Sequence, residues 1–415
     1  MFKNWFLSLV IACGLIGLAA CRSSSPESSG VTLAPILASV SVTPTAIQLI
    51  SSIPAETPTP TQVETSRVHN DALAQSINAG LIQGRPLFSP DGASLAVPTS
   101  RGVAFYAART FTLQGLLEVE TGAQYLAFSP DGMRLASGGG WHVQLWQKNG
   151  MAVPDDWKLL RALTGSTSSP DSTLVDLDFS PDGQLLAAGF RSPANPPDGA
   201  ILMWAAQDGE FHTSMVGMTF DFSPVQPRLV AIWQGSGEST IYSYSFTGAP
   251  TDIFHGEQAF FSSAGLLATE REGDWRLIDM RNGNTVFSLN GQALAFSPDG
   301  KRLALLARGK VLLYSLPDGA QLGILDGDWD QASHLQFSPD GQNLVGTLSG
   351  CPAGEGCDQP TPFNAIWRLS DGKLVLTLSG ADYAPWFAFS TDGRELVTAS
   401  PGGKLAIRQI IKPGE

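Results

Sequence analysis

Between residues 175 and 190 the chain reads VDLDFSPDGQLLAAGF: apolar and polar positions alternate up to Phe179, break at Ser-Pro-Asp-Gly, and resume as an apolar run. Alternation with period two marks a half-buried strand, and a short apolar run bounded by turn residues marks a strand buried on both faces. The stretch therefore predicts a tight β-hairpin. FSPDG recurs at 88–92, 128–132, 296–300 and 337–341, and weaker forms begin at Phe222, Phe261 and Phe389. Successive phenylalanines lie 40, 51, 43, 39, 35, 41 and 52 residues apart. A catalytic motif is needed once, so this copy number points to architecture, at the period of a solenoid or propeller.

Three more elements follow each phenylalanine in the same order. After the turn comes an apolar run such as RLASGGG, LLAAGF or RLALLAR. Next comes a run carrying an aromatic, such as VAFYA, VQLWQ, ILMWA, IYSYS or VLLYS. The last is a fourth candidate strand such as NTVFSLNG or KLVLTLSG. Four short strands per unit of about 40 residues make a propeller blade, which predicts an all-β fold.

These units resemble the WD40 and PD40 (TolB-like) propeller repeats, in which Ser-Pro-Asp-Gly joins the first two strands. The resemblance implies a β-propeller over 67–415, with eight four-stranded blades; seven would remain if the unit around Phe261 or the first unit is irregular. Trp146 and Trp204 stand at the WD40 tryptophan, but Gln147 and Ala205 replace its aspartate and the Gly-His pair ahead of the first strand is missing. The His-to-Trp network of a regular WD40 blade is thus put in doubt. The last unit ends after three strands, so its outer strand is expected from the amino-terminal side, within 68–84. In the repeated turn, Ser and Asp are expected to bond nearby amides, Pro to fix one dihedral and Gly to take positive φ.

The amino end differs in composition. Lys3 followed by WFLSLVIACGLIGLAA reads as an export signal over 1–20, too short and too near the start to read as a retained membrane span. LAAC, Leu18 to Cys21, resembles the bacterial lipobox, which implies a lipid anchor on Cys21 and a site outside the cytoplasm, at the cell surface or in the periplasm. Residues 22–66 hold 23 Ser, Thr or Pro among 45, so 21–66 reads as a tether. In such a compartment Cys351 and Cys357, flanking PAGEG, are expected to form a local disulfide. The net charge of -13 with no Lys/Arg run longer than two excludes a phosphate-backbone footprint, and hence a nucleic-acid partner.

Function is expected in what does not repeat. The two longest intervals contain TGSTSSPDSTL, GFRSPANPPDGA and SGCPAGEGCDQPTPFN, all on the face opposite the SPDG turns. That face also carries DGDWDQASH and GADYAPW, so Arg191, Asp328, Trp329, Asp330, Tyr383 and Trp386 form the candidate binding surface. Trp141 is a further aromatic candidate, and Trp386 also fits a core position. The spacing of Asp326, Asp328 and Asp330 copies the start of an EF-hand, but Gln331 stands where glycine is required and Phe337 where the final Glu belongs. No metal or other cofactor is expected. No nucleophile elbow, metal helix, phosphate loop or dinucleotide fingerprint occurs, and the five histidines are scattered, His334 alone lying near candidate acids. The expected function is a non-catalytic, membrane-anchored platform for another envelope or secreted protein. The alternatives are a module for a small ligand, glycan or cell-wall component, and a propeller lyase or hydrolase.

Overall fold

The computed structural model describes residues 80–410, apart from 151–152, 164–170, 194–198, 235–238, 326, 328–330, 351–360 and 402. Cys21, the signal and tether segments, Cys351, Cys357, Asp328, Trp329 and Asp330 lie outside the described residues. The described chain forms eight antiparallel sheets in sequence, seven of four strands and a last of three. This is the expected eight-bladed all-β propeller. Within each blade the strands run outward from the channel in chain order.

Burial falls along the same direction. Second strands such as Ser94–Thr99 are wholly buried, whereas outer strands such as Pro250–His255 are mostly exposed. A blade's inner strands are covered on both faces by its neighbours, which is why they read as apolar runs without alternation. Eight apolar clusters fill the ring, each shared by two adjacent blades. The repeat phenylalanines sit at these contacts: Phe179 joins the cluster of blades 2 and 3, and Phe222 that of blades 3 and 4. One cluster joins Phe88, Leu95 and Tyr106 of blade 1 to Val397, Leu405 and Ile407 of blade 8, so packing closes the ring.

The repeated turn is held as its composition demands. Ser180 donates through Oγ to Asp182 (2.6 Å) and accepts from the Leu185 amide, while Asp182 accepts from the Gln184 amide. The same bonds recur at Ser89, Ser129, Ser297 and Ser338. Gly183 takes φ 71°, with Pro130 of the preceding blade's turn 3.3 Å from where a Cβ would stand. A second regularity lies in the third strands. In all seven four-stranded blades the ladder to the outer strand slips by one residue, at Tyr106, Trp146, Trp204, Tyr244, Ile278, Tyr314 and Trp367. In six of the seven blades the aromatic of the third sequence element, and in blade 5 Ile278, thus marks a β-bulge that adds twist to the outer strand. In blade 2 the tryptophan at the WD40 position is bonded within its own sheet, Trp146 Nε1 donating to Ser137 Oγ at 2.9 Å.

The expected closing strand falls almost wholly outside the described residues. Blade 8 comprises Trp386–Phe389, Glu395–Ala399 and Leu405–Gln409 among the described residues. Residues 81–83 do not complete it but lie beside blade 1's own second strand: Ile82 pairs with Thr99, Ser100 donates to the Leu81 carbonyl and Gln83 to that of Pro98. The cause is apolar burial, since Ile82 enters the cluster between blades 8 and 1. The rest of the expected segment, 68–79, lies outside the described residues.

Candidate binding face

The SPDG turns occupy one end of the ring. The hairpins joining second to third strands, and the connections between blades, occupy the other. This second face is uneven. Inner strands have four residues in blades 2, 4, 5, 6 and 8, but seven in blades 3 and 7, Thr173–Phe179 and Gln331–Phe337. Both long strands carry a bulge against the second strand of their blade. Three extra residues raise each by about 10 Å at a strand's rise per residue. Blades 3 and 7 stand half a turn apart in an eight-membered ring.

Between these raised blades the channel mouth is polar. Residues three before the repeat phenylalanine gather there: Arg85, Tyr125, Asp176 and His334. Asp176 is buried and accepts the Phe220 amide of blade 4 at 2.9 Å, satisfying a backbone donor on a strand edge that no further strand covers. Burial raises the half-buried Tyr125 phenol; the Asp176 charge adds to the rise and the Arg191 guanidinium opposes it. Across the mouth, Arg85 donates through Nε to the Phe387 carbonyl and through Nη2 to Gln336 Oε1, both at 2.9 Å. It is enclosed by the channel wall yet keeps some solvent contact, and desolvation brings its guanidinium down to about 10. His334, packed against Phe387, is pushed down to about 3 by burial and by the Arg85 charge. It is therefore neutral at pH 7 and far below the range of a general base.

The residues expected from sequence are dispersed. Arg191 ends the raised second strand of blade 3, at the mouth. Tyr383 follows a single helical turn, Gly380–Asp382, and burial raises its phenol. Lys404 holds that turn to blade 8 through Asp382 at 2.8 Å. Trp386 packs against the cluster between blades 8 and 1, which accounts for its bulk without a ligand. Trp141 stacks on His142, ring centres 4.1 Å apart. Sequence reasoning missed Arg85, Tyr125 and Asp176 and set His334 aside. The usable signal was their shared place in the repeat frame, three residues ahead of the phenylalanine. Among the described residues no group of three or more His, Cys, Asp or Glu side chains is arranged to hold a metal.

Comparison with known proteins bears on the scaffold. Residues 120–147 and 157–204, in blades 2 and 3, match the family described as WD domain, G-beta repeat. The described chain is also similar to the solved C-terminal WD40 domain of Sif2, with a TM-score of 0.60 at 16% identity, covering 81% of this chain and 97% of that one. The fold is a WD40 propeller. An uncharacterized WD repeat-containing protein of Synechocystis, sll1491, is 31% identical over 144 residues, which is 33% of this chain and 38% of that protein. Protein hir1 of Aspergillus terreus is 24% identical over 340 residues, which is 68% of this chain and 32% of that protein. The chain thus spans about a third of the length of either relative. The propeller here keeps the bulge in all seven four-stranded blades, aromatic in six of them, and varies on its second face.

Proposed function

We propose that this WD40 propeller is a non-catalytic platform that presents its second face to another envelope or secreted protein, with Cys21 as its lipid anchor. The observation that carries the reading is the uneven second face: two opposed blades rise over a mouth lined by Tyr125, Asp176, Arg191 and Arg85. Mixed donors, acceptors and a phenol suit a polypeptide better than a single-charge ligand. The LAAC sequence supports the anchor.

The test places a photo-crosslinking residue at Arg191 or Tyr383, and at Asp155 on the opposite face, in the native cell. A protein adduct formed from the first two positions and not from the third is expected. Equal adducts from all three, or none, would sink the platform. Mass spectrometry of the mature amino terminus is expected to show diacylated Cys21; an unmodified cysteine there removes the anchor.

A further inference from the structure

The chain holds three Asn-Gly pairs, at 149–150, 282–283 and 290–291. In such a pair the glycine nitrogen can attack the carbonyl carbon of the asparagine side chain, because glycine brings no side chain of its own to block the approach. The new N–C bond closes a cyclic imide, and the side-chain nitrogen leaves as ammonia. Water then opens the imide to aspartate or to its β-linked isomer, with no change of oxidation state. The fold treats the three pairs differently.

Asn290 ends the outer strand Asn284–Asn290 of blade 5, and its Nδ2 donates to Asp274 Oδ1 at 2.8 Å. Gly291 is buried, its amide donates to the Gly273 carbonyl at 2.8 Å, and a Cβ there would stand 2.6 Å from the Leu306 carbonyl oxygen. At Gly150 the Asp156 carboxylate crowds the equivalent point, and its charge opposes the one that develops on the attacking nitrogen. Asn282 and Gly283, by contrast, are exposed in the corner between the third and fourth strands of blade 5. Among the described residues nothing lies within 4 Å of where a Gly283 Cβ would stand. The Gly283 amide donates to the Asp279 carbonyl at 2.8 Å, but opening that bond uncovers no packed neighbour. The Asn284 amide donates to Asn282 Oδ1 at 2.9 Å, so it polarises the carbonyl under attack and faces the oxygen that gains charge.

The same corner in blades 3, 6 and 7 is Asp-Gly: Asp208-Gly209, Asp318-Gly319 and Asp371-Gly372, with glycine φ of 71°, 69° and 71° against 73° at Gly283. Asp208 and Asp371 each accept the amide two residues on, as Asn282 does. The Gly209 and Gly319 amides return to the last carbonyl of the third strand, as that of Gly283 does. An aspartate at 282 keeps the bond from Asn284 and loses only the 3.4 Å donation to Asp279, whose carboxylate Arg281 already holds at 2.9 and 2.8 Å. The β-linked isomer would add a backbone atom to a corner that four blades build alike. We infer that Asn282 is a site of spontaneous deamidation in the folded protein, with water as co-reactant and aspartate as the retained product. The inference is independent of the platform reading, and the new charge falls at the turn end of the ring, away from the second face.

The experiment ages the full protein, folded and in denaturant, in heavy-oxygen water at mildly alkaline pH and maps the label by peptide mass spectrometry. In the folded protein label is expected at 282 more than about tenfold ahead of 149 and 290, and in denaturant the three are expected to converge, because the opening of each site then costs nothing. An isoaspartyl methyltransferase is expected to modify the aged folded protein poorly and the protein aged in denaturant well. Asn282→Asp is expected to leave the melting temperature unchanged. No label at 282 in the folded protein, or equal label at 149 or 290, overturns the site. A lead at 282 that persists in denaturant means that sequence neighbours and not the fold select it, which overturns the inference as well. Strong methylation at 282 of the folded protein, or a lowered melting temperature of Asn282→Asp, overturns aspartate as the retained product.

Discussion

The two ends of the ring are built from the same blades on opposite terms. At the turn end, six copies of a Ser–Asp pair repeat almost one geometry, Ser Oγ to Asp Oδ1 at 2.5 to 2.6 Å, and successive turns touch. At the other end, connections vary from two residues to nine and the lining changes from blade to blade. Repetition goes with holding the ring together, because each turn meets an almost identical neighbour and fits it in only one way. Variation goes with recognition, because there each blade faces open space.

The contrast breaks first at the core. Phe179→Ala removes a ring shared by blades 2 and 3 and is expected to destabilise the protein by about 3–5 kcal/mol in denaturant titration. Arg191→Ala, at the mouth end of blade 3, is expected to leave the unfolding midpoint unchanged and to alter only the crosslinking read from Tyr383. A large stability loss in the second would remove the distinction between the two ends. Next in size, Ser180→Ala deprives the Leu185 amide and the Asp182 carboxylate of their partner, with an expected loss of about 1–2 kcal/mol by the same titration. Gly183→Ala puts a side chain at φ 71° against Pro130 and is expected to cost about 1 kcal/mol, read as a lowered melting temperature.

The smallest effect at neutral pH is the most selective one in acid. His334 is held down to about 3, below the unfolded value of about 6.5, so between those values the unfolded chain binds the extra proton. Stability is then fully present above about pH 6.5 and is lost as pH falls toward 3. The turn carboxylates Asp91, Asp131, Asp299 and Asp392 are held below their ordinary values, desolvation being outweighed by the serine and amide donors together. Their contribution is present above the unfolded carboxylate range, near pH 4, and is lost below it. His334→Gln is therefore expected to flatten the stability profile between pH 6.5 and 4 while leaving the steeper fall in stronger acid. An unchanged profile would mean that the mouth histidine is not held neutral.

The repeat was legible because its causes are local. A phenylalanine, a Ser-Pro-Asp-Gly turn and an aromatic third strand each act within a few residues, so eight blades could be counted from Phe88 to Phe389. The mouth was not legible, because which side chains meet there depends on the height of each inner strand. Asp176 and His334 stand there on strands three residues longer than most. Trp386 occupies the same frame position as Arg85 but packs into the core, a difference made by neighbouring blades and not by its own surroundings in sequence. The placement of residues 81–83 was hidden for the same reason, since their partners at 98–100 leave no local mark.

The junction of blades 8 and 1 also sets a timetable. Arg85 reaches the Phe387 carbonyl across 302 positions of sequence, and the cluster around Ile82 and Phe88 is completed by Val397, Leu405 and Ile407. During synthesis the first blade must wait, one apolar face uncovered, until the seven later blades have followed. Seven of the eight cores can form in the order of translation; the eighth depends on the final strands. A deletion of Leu405–Gln409 is thus felt first in blade 1, whose cluster loses Leu405 and Ile407.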